Sequence, residues 1–466
     1  MDSQRFNLTH GDITGKLLLV SVPIIGTQLM MMGYNLVDMF LLGRVGSDAV
    51  AASGSAGMYL WLSMGVMLIG RMGAEIGVSQ CKGRGDREGA RAYSQNALFL
   101  AMTLSVAFTL VCEFFPDAMI SFLKIREPEV AQSACDYLRI VGLGIPASFI
   151  GASVAGSFTG AGNSRTPFLV NAFGLTMNAI LDPIFIFSLD LGVKGAAIAT
   201  VIAQVMACAV SMAFLLTKKD RPFKEYRFFV RPNMPRIRQI LRWSVPMGME
   251  SMLFTFFSMV VARVVAFYGA SAITVYRVGS QAESLSWLVA LGFSAGVTTF
   301  VGQNFGAGKW SRIWTGFRIS LTVLVSWGVL TTILFLTSGK WIIGIFIPEP
   351  HIIEMGASYL WYLAFCQVFF CLESIAAGAF RGMGKTTPPS ISSILFNGLR
   401  IPTVYYLTST DLGLDGIWLG VTVCASLRGI VTFLWFLRES RSRPSHDVDC
   451  AVSASARHKP DAGTVA

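Results

Sequence analysis

Long apolar runs separated by short polar gaps dominate this chain. Runs long enough for the hydrocarbon core of a bilayer, which takes about 20 residues, fall at 17–42, 51–78, 95–115, 131–158, 167–189, 196–216, 240–267, 273–301, 319–336, 353–380, 391–407 and 417–437. The alternation expected of barrel strands is absent. The pattern therefore predicts an all-α polytopic membrane protein with twelve transmembrane helices. The first run is too long and too evenly apolar to read as a cleavable leader. Residues 439–466 lose the apolar period, are rich in Ser, Pro and Asp, and are expected to form a disordered tail.

The pattern also repeats. Ser21-Val22-Pro23 returns as Ser244-Val245-Pro246, Gln80, Gly83 and Gly85 return as Gln303, Gly306 and Gly308, and Gly160-Ala161-Gly162 returns as Gly382-Met383-Gly384. Asp190-Leu191-Gly192 returns as Asp411-Leu412-Gly413, and the offset stays within 221–223 throughout. Two pseudo-symmetric six-helix lobes follow, at 1–217 and 236–438, joined by a basic linker at 218–235. An even number of spans per repeat gives both lobes the same orientation, related by an axis along the membrane normal. Two such lobes enclose a central cleft that rocking can open to either side in turn.

Composition agrees and adds direction. Of 466 residues 53% are hydrophobic and 14% charged, a balance with no place in a soluble globule. The net charge of +10 raises the question of nucleic acid, but the basic residues are spread over the gaps and form no soluble face. Twenty-four of them lie in gaps on the amino-terminal side of the membrane and five on the other. That bias predicts both termini in the cytoplasm and explains the charge without a nucleic-acid partner. Eight cysteines without a C-x-x-C pair, and four histidines in tails or a loop, predict neither a disulfide frame nor a structural metal.

Several segments together resemble the multidrug and toxic compound extrusion family over nearly the whole chain up to Leu437. They are Val22-Pro23 with Gln28, Tyr34-Asn35-Leu36-Val37-Asp38, Gly160-Ala161-Gly162-Asn163, Asn178-Ala179-Ile180-Leu181-Asp182-Pro183, Gly195 to Thr200, and Gln303 to Gly308. The resemblance implies two six-helix bundles in a V, and export of amphipathic organic cations in exchange for Na⁺ or H⁺. It further implies an inner-membrane, monomeric carrier that needs no cofactor and is not an enzyme. Its partners would be cationic drugs or metabolites and membrane lipid.

Charged residues inside the spans carry the chemistry, because a carboxylate there costs about 3 kcal/mol on the mildest scale. Asn178 and Asp182 are one turn apart and share a helix face. With Asp38, Thr200 and the adjoining Tyr34 they form the candidate site for cation coupling and substrate. The oxygens of Asp38, Asn178 and Asp182 would suit Na⁺, and the same carboxylates could take a proton. Asp182 has a plainer reading as a helix breaker before Pro183. In the second lobe Glu250 and Glu373 lie where some branches of the family carry acids, and Glu283 is a further candidate. Arg263 and Arg277 in the same lobe offer these acids ion-pair partners. Met30, Met31, Met32, Met64, Met67, Phe149, Phe254 and Phe257 are candidates for a greasy cleft lining suited to flat cations.

Two decoys and two rival functions complete the reading. Gly382-Met383-Gly384-Lys385-Thr386 imitates a phosphate loop, but Ala379 stands where that loop needs Gly and an apolar helix stands where it needs a strand. The repeated Gln80/Gly83/Gly85 and Gln303/Gly306/Gly308 groups read as tight cytoplasmic turns, with Gly supplying backbone freedom. A flippase for lipid-linked oligosaccharides shares the two-lobe plan but calls for a cationic cavity, whereas acids predominate here. A membrane-embedded lipid enzyme would need a catalytic cluster of acids and histidines that the sequence lacks.

Overall fold

The computed structural model describes residues 6–45, 47–123, 127–217, 221–223, 225–228 and 230–441; at residues 35–40, 42, 43, 47 and 441 the description excludes the side chain. Among the described residues the secondary structure is entirely helical. The first half comprises α1 (Ile13–Val45), α2 (Ser47–Arg84), α3 (Arg87–Phe114), α4 (Pro116–Phe122), α5 (Pro128–Gly160), α6 (Arg165–Pro183), and α7 (Gly192–Thr217), with a π-helical turn at Ile184–Ser188. The second comprises α8 (Met234–Ala266), α9 (Ala270–Gly306), α10 (Trp310–Phe346), α11 (Pro350–Ala364), α12 (Gln367–Gly382), α13 (Thr387–Thr408) and α14 (Leu414–Arg441).

Ten of these helices are long and apolar enough to cross a membrane, or eleven if α11 and α12, bent by 48° at a short break, count as one span. The remaining expected span, 391–407, lies in α13, which opens on Thr-Pro-Pro-Ser and carries Arg400, and is not among them. Half-exposed side chains such as Val106 and Leu110 on α3, and Leu330 and Ile333 on α10, give those helices an apolar outer face. Such a face belongs in lipid. The expected tail beyond Arg441 lies outside the described residues.

Helix ends follow local chemistry. Asp86 accepts from Gly89 N at 2.8 Å and Asn233 from Arg236 N at 3.2 Å, capping α3 and α8. Proline opens α4, α5 and α11 near its first turn, where its missing N–H is no loss. The repeated turns are repeated caps. After α2, Gly85 (φ +77°) lets Asp86 N reach Cys81 O at 2.9 Å; after α9, Gly308 (φ +69°) lets Lys309 N reach Asn304 O at 2.9 Å.

Gly83 and Gly306 mark where the two halves touch. α2 packs on α8 and α9, and α1 packs on α9. A Cβ on Gly83 would overlap the Gln303 carbonyl, and one on Gly306 would overlap the Gln80 carbonyl. Leu17 of α1 is 1% exposed inside a cluster otherwise built mainly from α9, α10, α12 and α14. Its repeat equivalent Ile240 of α8 is 0% exposed against Ala74 and Ala97 of the first half. Each half thus lends the start of its first helix to the other half's core.

Candidate functional site

In the first half a polar chain is built across α1 and α6, which pack together. Tyr34 Oη donates to Asn178 Oδ1 at 2.5 Å, and Asn178 Nδ2 donates to Asp182 Oδ1 at 2.7 Å. Asn178 is 5% exposed and Asp182 is 0% exposed. The one-turn spacing makes the Asn178–Asp182 contact, and the break at Pro183 leaves Asp182 at the last turn of α6. Asp182 thus stands at a helix end and faces a polar partner at the same time. Asp38 lies in α1 one turn beyond Tyr34, and its side chain lies outside the described residues. Thr200 is half-buried on α7, which packs against α6.

Two of the three second-half acids face arginines, though not the expected ones. Arg263 and Arg277 are exposed. Glu373 of α12 instead receives Arg428 Nε of α14 at 2.8 Å, and the same guanidinium donates to Asn397 of α13 at 3.1 Å. Glu250 of α8 accepts from Ser390 Oγ at 2.8 Å and faces Arg381 at 4.0 Å. Glu283 of α9 accepts from Tyr359 Oη at 3.2 Å. Arg428 lies in α14, 55 positions along the chain from Glu373, so neither spacing nor repeat points to it.

A further acid lies at the seam between halves. Glu75 of α2 is 0% exposed, and its Oε1 accepts from Thr299 Oγ1 of α9 at 3.2 Å. Its Oε2 has no hydrogen-bond partner among the described residues. The sequence carries the signal, since Glu75 is a lone acid inside an apolar run. Following the positions of the family's acids passes over it.

Other candidates resolve simply. Phe149 is 2% exposed in a packed core cluster, too deep to line a cleft, while Met31, Met64 and Phe254 remain 37%, 38% and 47% exposed. Lys385 of the imitation phosphate loop pairs with Glu439 at 2.6 Å, at the end of a helix. No group of three His, Cys, Asp or Glu among the described residues could hold a metal ion.

Comparison with known proteins adds to this geometry. The chain is 28% identical to the probable multidrug resistance protein NorM of Thermotoga maritima, covering 91% of this chain and 92% of that one. It superimposes at a TM-score of 0.88 and 21% identity on a crystal structure of MATE in the bent conformation, covering 94% of this chain and 97% of that one. The TM-score and identity are the same, 0.88 and 21%, for an outward-facing multidrug resistance MATE family transporter of the MOP superfamily, with 94% of this chain and 98% of that one covered. The MatE family model matches residues 23–184 and again 246–406, one match in each half. A chain whose two halves both fit that model belongs to the MatE (MATE) family of prokaryotic secondary transporters and is not an enzyme.

Proposed function

We propose that this protein exports amphipathic organic cations from the cytoplasm by alternating access, in exchange for an inward-moving cation. In this reading twelve spans form two six-helix lobes, both termini are cytoplasmic, and the monomer in the inner membrane is the working unit. The observation that carries it is the position of the seam. The glycine contacts between halves run from the middle of α2 to one end, from Gly65 with Gly248 through Gly73 with Ile240 to Gly83 with Gln303 and Gly306 with Gln80. That end carries the basic residues Lys82, Arg84, Arg242 and Lys309. A seam closed at the cytoplasmic end leaves the cleft to open at the other.

The coupling ion in this reading is a proton held by Asp182 and its neighbours. Asn178 Oδ1, the oxygen Na⁺ would need, is occupied by the Tyr34 hydroxyl, and Asp182 Oδ1 is occupied by the Asn178 amide. A proton can join such a chain without displacing either partner, whereas Na⁺ would have to share Asn178 Oδ1 with the Tyr34 hydroxyl. The flippase alternative loses ground because Arg381 and Arg428 face Glu250 and Glu373 and so supply no surplus of positive charge.

Inverted vesicles containing the protein test this reading. A fluorescent organic cation should accumulate when the interior is made acidic, and an imposed Na⁺ gradient alone should drive little uptake. Uptake driven by Na⁺ and indifferent to pH would overturn the proton assignment, and no uptake under either gradient would overturn the export reading.

A further inference from the structure

The segment before α1 lies across the closed end of the seam and is held by both halves. Phe6, Leu8 and Thr9 are 8%, 0% and 7% exposed, although the segment is not helical. Leu8 N donates to Gln303 Oε1 at 3.0 Å, and Leu8 O accepts from Asn304 Nδ2 at 3.3 Å and Arg312 Nη2 at 3.2 Å. Lys309 Nζ donates to Thr9 O at 2.9 Å, and Arg312 Nη1 to Gly11 O at 2.9 Å. Those groups all belong to the second half. From the first half, Lys82 Nζ donates to Phe6 O at 3.0 Å and also to Ala161 O, and a Cβ on Gly162 would meet Phe6 O.

Two features separate this arrangement from an ordinary docked terminus. First, the captured groups are mostly backbone carbonyls, and three cationic side chains spend their donors on them. A loop normally keeps such groups in water, so holding them here takes specific partners. Second, Gln303 ties the segment to the seam itself, because its Oε1 takes Leu8 N while its Nε2 donates to Gly160 O of the first half at 3.0 Å. The segment and the contact between halves share one side chain. Parting α9 from α5 pulls on Gln303, and releasing Leu8 frees it.

We propose that residues Phe6–Gly11 form a strap that locks the closed end of the seam, and that the strap must leave before that end opens. The inference rests on the alternating-access reading above, but its test needs no substrate and no gradient. Two pairs of spin labels in a cysteine-free background, in lipid nanodiscs, report the two events separately. Arg87→Cys with Ser311→Cys spans the seam, and His10→Cys with Ser311→Cys reports the strap. Leu8→Lys places an ammonium among the apolar side chains that enclose Leu8, next to the cations that hold the neighbouring carbonyls, and should eject the strap because a charge cannot be buried there without a partner. Leu8→Met should leave it seated.

In the Leu8→Lys protein the strap pair should lengthen, and the seam pair should gain a second population longer by about one helical pitch, ~5 Å or more. If Leu8→Lys does not fold, the Lys309→Ala, Arg312→Ala variant removes three of the donors and should move both distances the same way. A lengthened strap pair with an unchanged seam pair would overturn the proposal. So would a strap that stays seated in both variants, since a lock that cannot be dislodged cannot cycle. Loss of transport with both distances behaving as expected would count against the transport reading and leave the strap in place.

Discussion

Gln80 and Gln303, 223 positions apart in the chain, reach past each other across the seam: Gln80 Nε2 donates to Gly382 O and Gln303 Nε2 to Gly160 O, each at 3.0 Å. Gly160 and Gly382 are themselves repeat equivalents, so the two bonds are one interaction made twice. Gln303 carries the additional bond to Leu8 N and is 0% exposed, against 4% for Gln80. Buried polar partners left without a mate cost about 1–3 kcal/mol each. Gln303→Ala, which orphans two groups, should therefore destabilise more than Gln80→Ala, which orphans one. Thermal unfolding in detergent checks the order, and equal midpoints would refute it.

Gly83 and Gly306 should tolerate no side chain while the seam is closed. A Cβ on either would overlap a backbone carbonyl of the opposite half, which has no flexible end to move aside. Overpacking of this kind typically costs about 1–3 kcal/mol. The cost applies only to the closed arrangement, so Gly83→Ala and Gly306→Ala should each shift the protein toward an open seam. A thiol at Ser79, which lies against Gly302 in the seam, should then react faster with a maleimide supplied from the basic end. Unchanged reactivity in both variants would mean the halves part elsewhere.

Much of this is legible in the sequence because membrane helices must satisfy their backbone internally and advertise their length in apolar runs. The repeat makes the caps at Gly85 and Gly308 readable in advance. Gly83 and Gly306 read with them as turn glycines, yet their use is close approach, a property of two surfaces that one segment cannot reveal. The Tyr34–Asn178–Asp182 chain is half visible, since the i, i+4 spacing fixes Asn178 against Asp182 but says nothing of α1. The partners of Glu250 and Glu373 are not visible. Arg428 reaches Glu373 only because α14 packs on α12, and Arg263 and Arg277, nearer Glu250 in sequence, are exposed.

The Arg428–Glu373 pair should behave as a buried ion pair does. Both side chains are largely enclosed, and the guanidinium also holds Asn397. Removing one partner strands the other charge, at about 3–5 kcal/mol. Arg428→Met should therefore be severe, and Arg428→Met with Glu373→Leu should recover much of the loss. Failure of the double variant to recover would mean that Asn397, and not Glu373, is the partner that matters.

The linker should come away from α3 at high pH. Tyr226 Oη lies 3.0 Å from Ser94 Oγ, and Gln95 Nε2 donates to Arg227 O at 2.8 Å. Burial pushes the Tyr226 phenol up from its ordinary 10.0 to about 12. A raised pKa means that the docked state favours the neutral phenol. Its contribution is complete below pH ~10 and is lost as pH rises through about 12. Phenolate absorbance should show a late step near the upper value that Tyr226→Phe removes. A step at the ordinary value would show that the linker is not docked.

The last prediction concerns the order of effects along the Tyr34–Asn178–Asp182 chain. If Asp182 carries the coupling proton, Asp182→Asn removes the titrating group while keeping the shape and should abolish gradient-driven flux. Asn178→Ala removes one donor from Asp182, at 2.7 Å, and leaves the acid in place. The proton then binds with altered affinity, and flux should survive with a displaced pH optimum. Tyr34→Phe removes the bond to Asn178 Oδ1. That loss costs about 1 kcal/mol and should reduce flux severalfold at most. Tyr34→Phe has a second use, because it frees the oxygen that Na⁺ would need. A variant that gains Na⁺-driven flux would mean that the tyrosine hydroxyl selects the proton by occupying that oxygen. Reconstitution in proteoliposomes, with organic-cation binding measured at zero gradient first, separates coupling from binding. Asp182→Asn should bind the organic cation and fail to concentrate it. Normal concentrative flux in a folded Asp182→Asn protein would move the coupling site away from α6, with Glu75 at the seam the next acid to test.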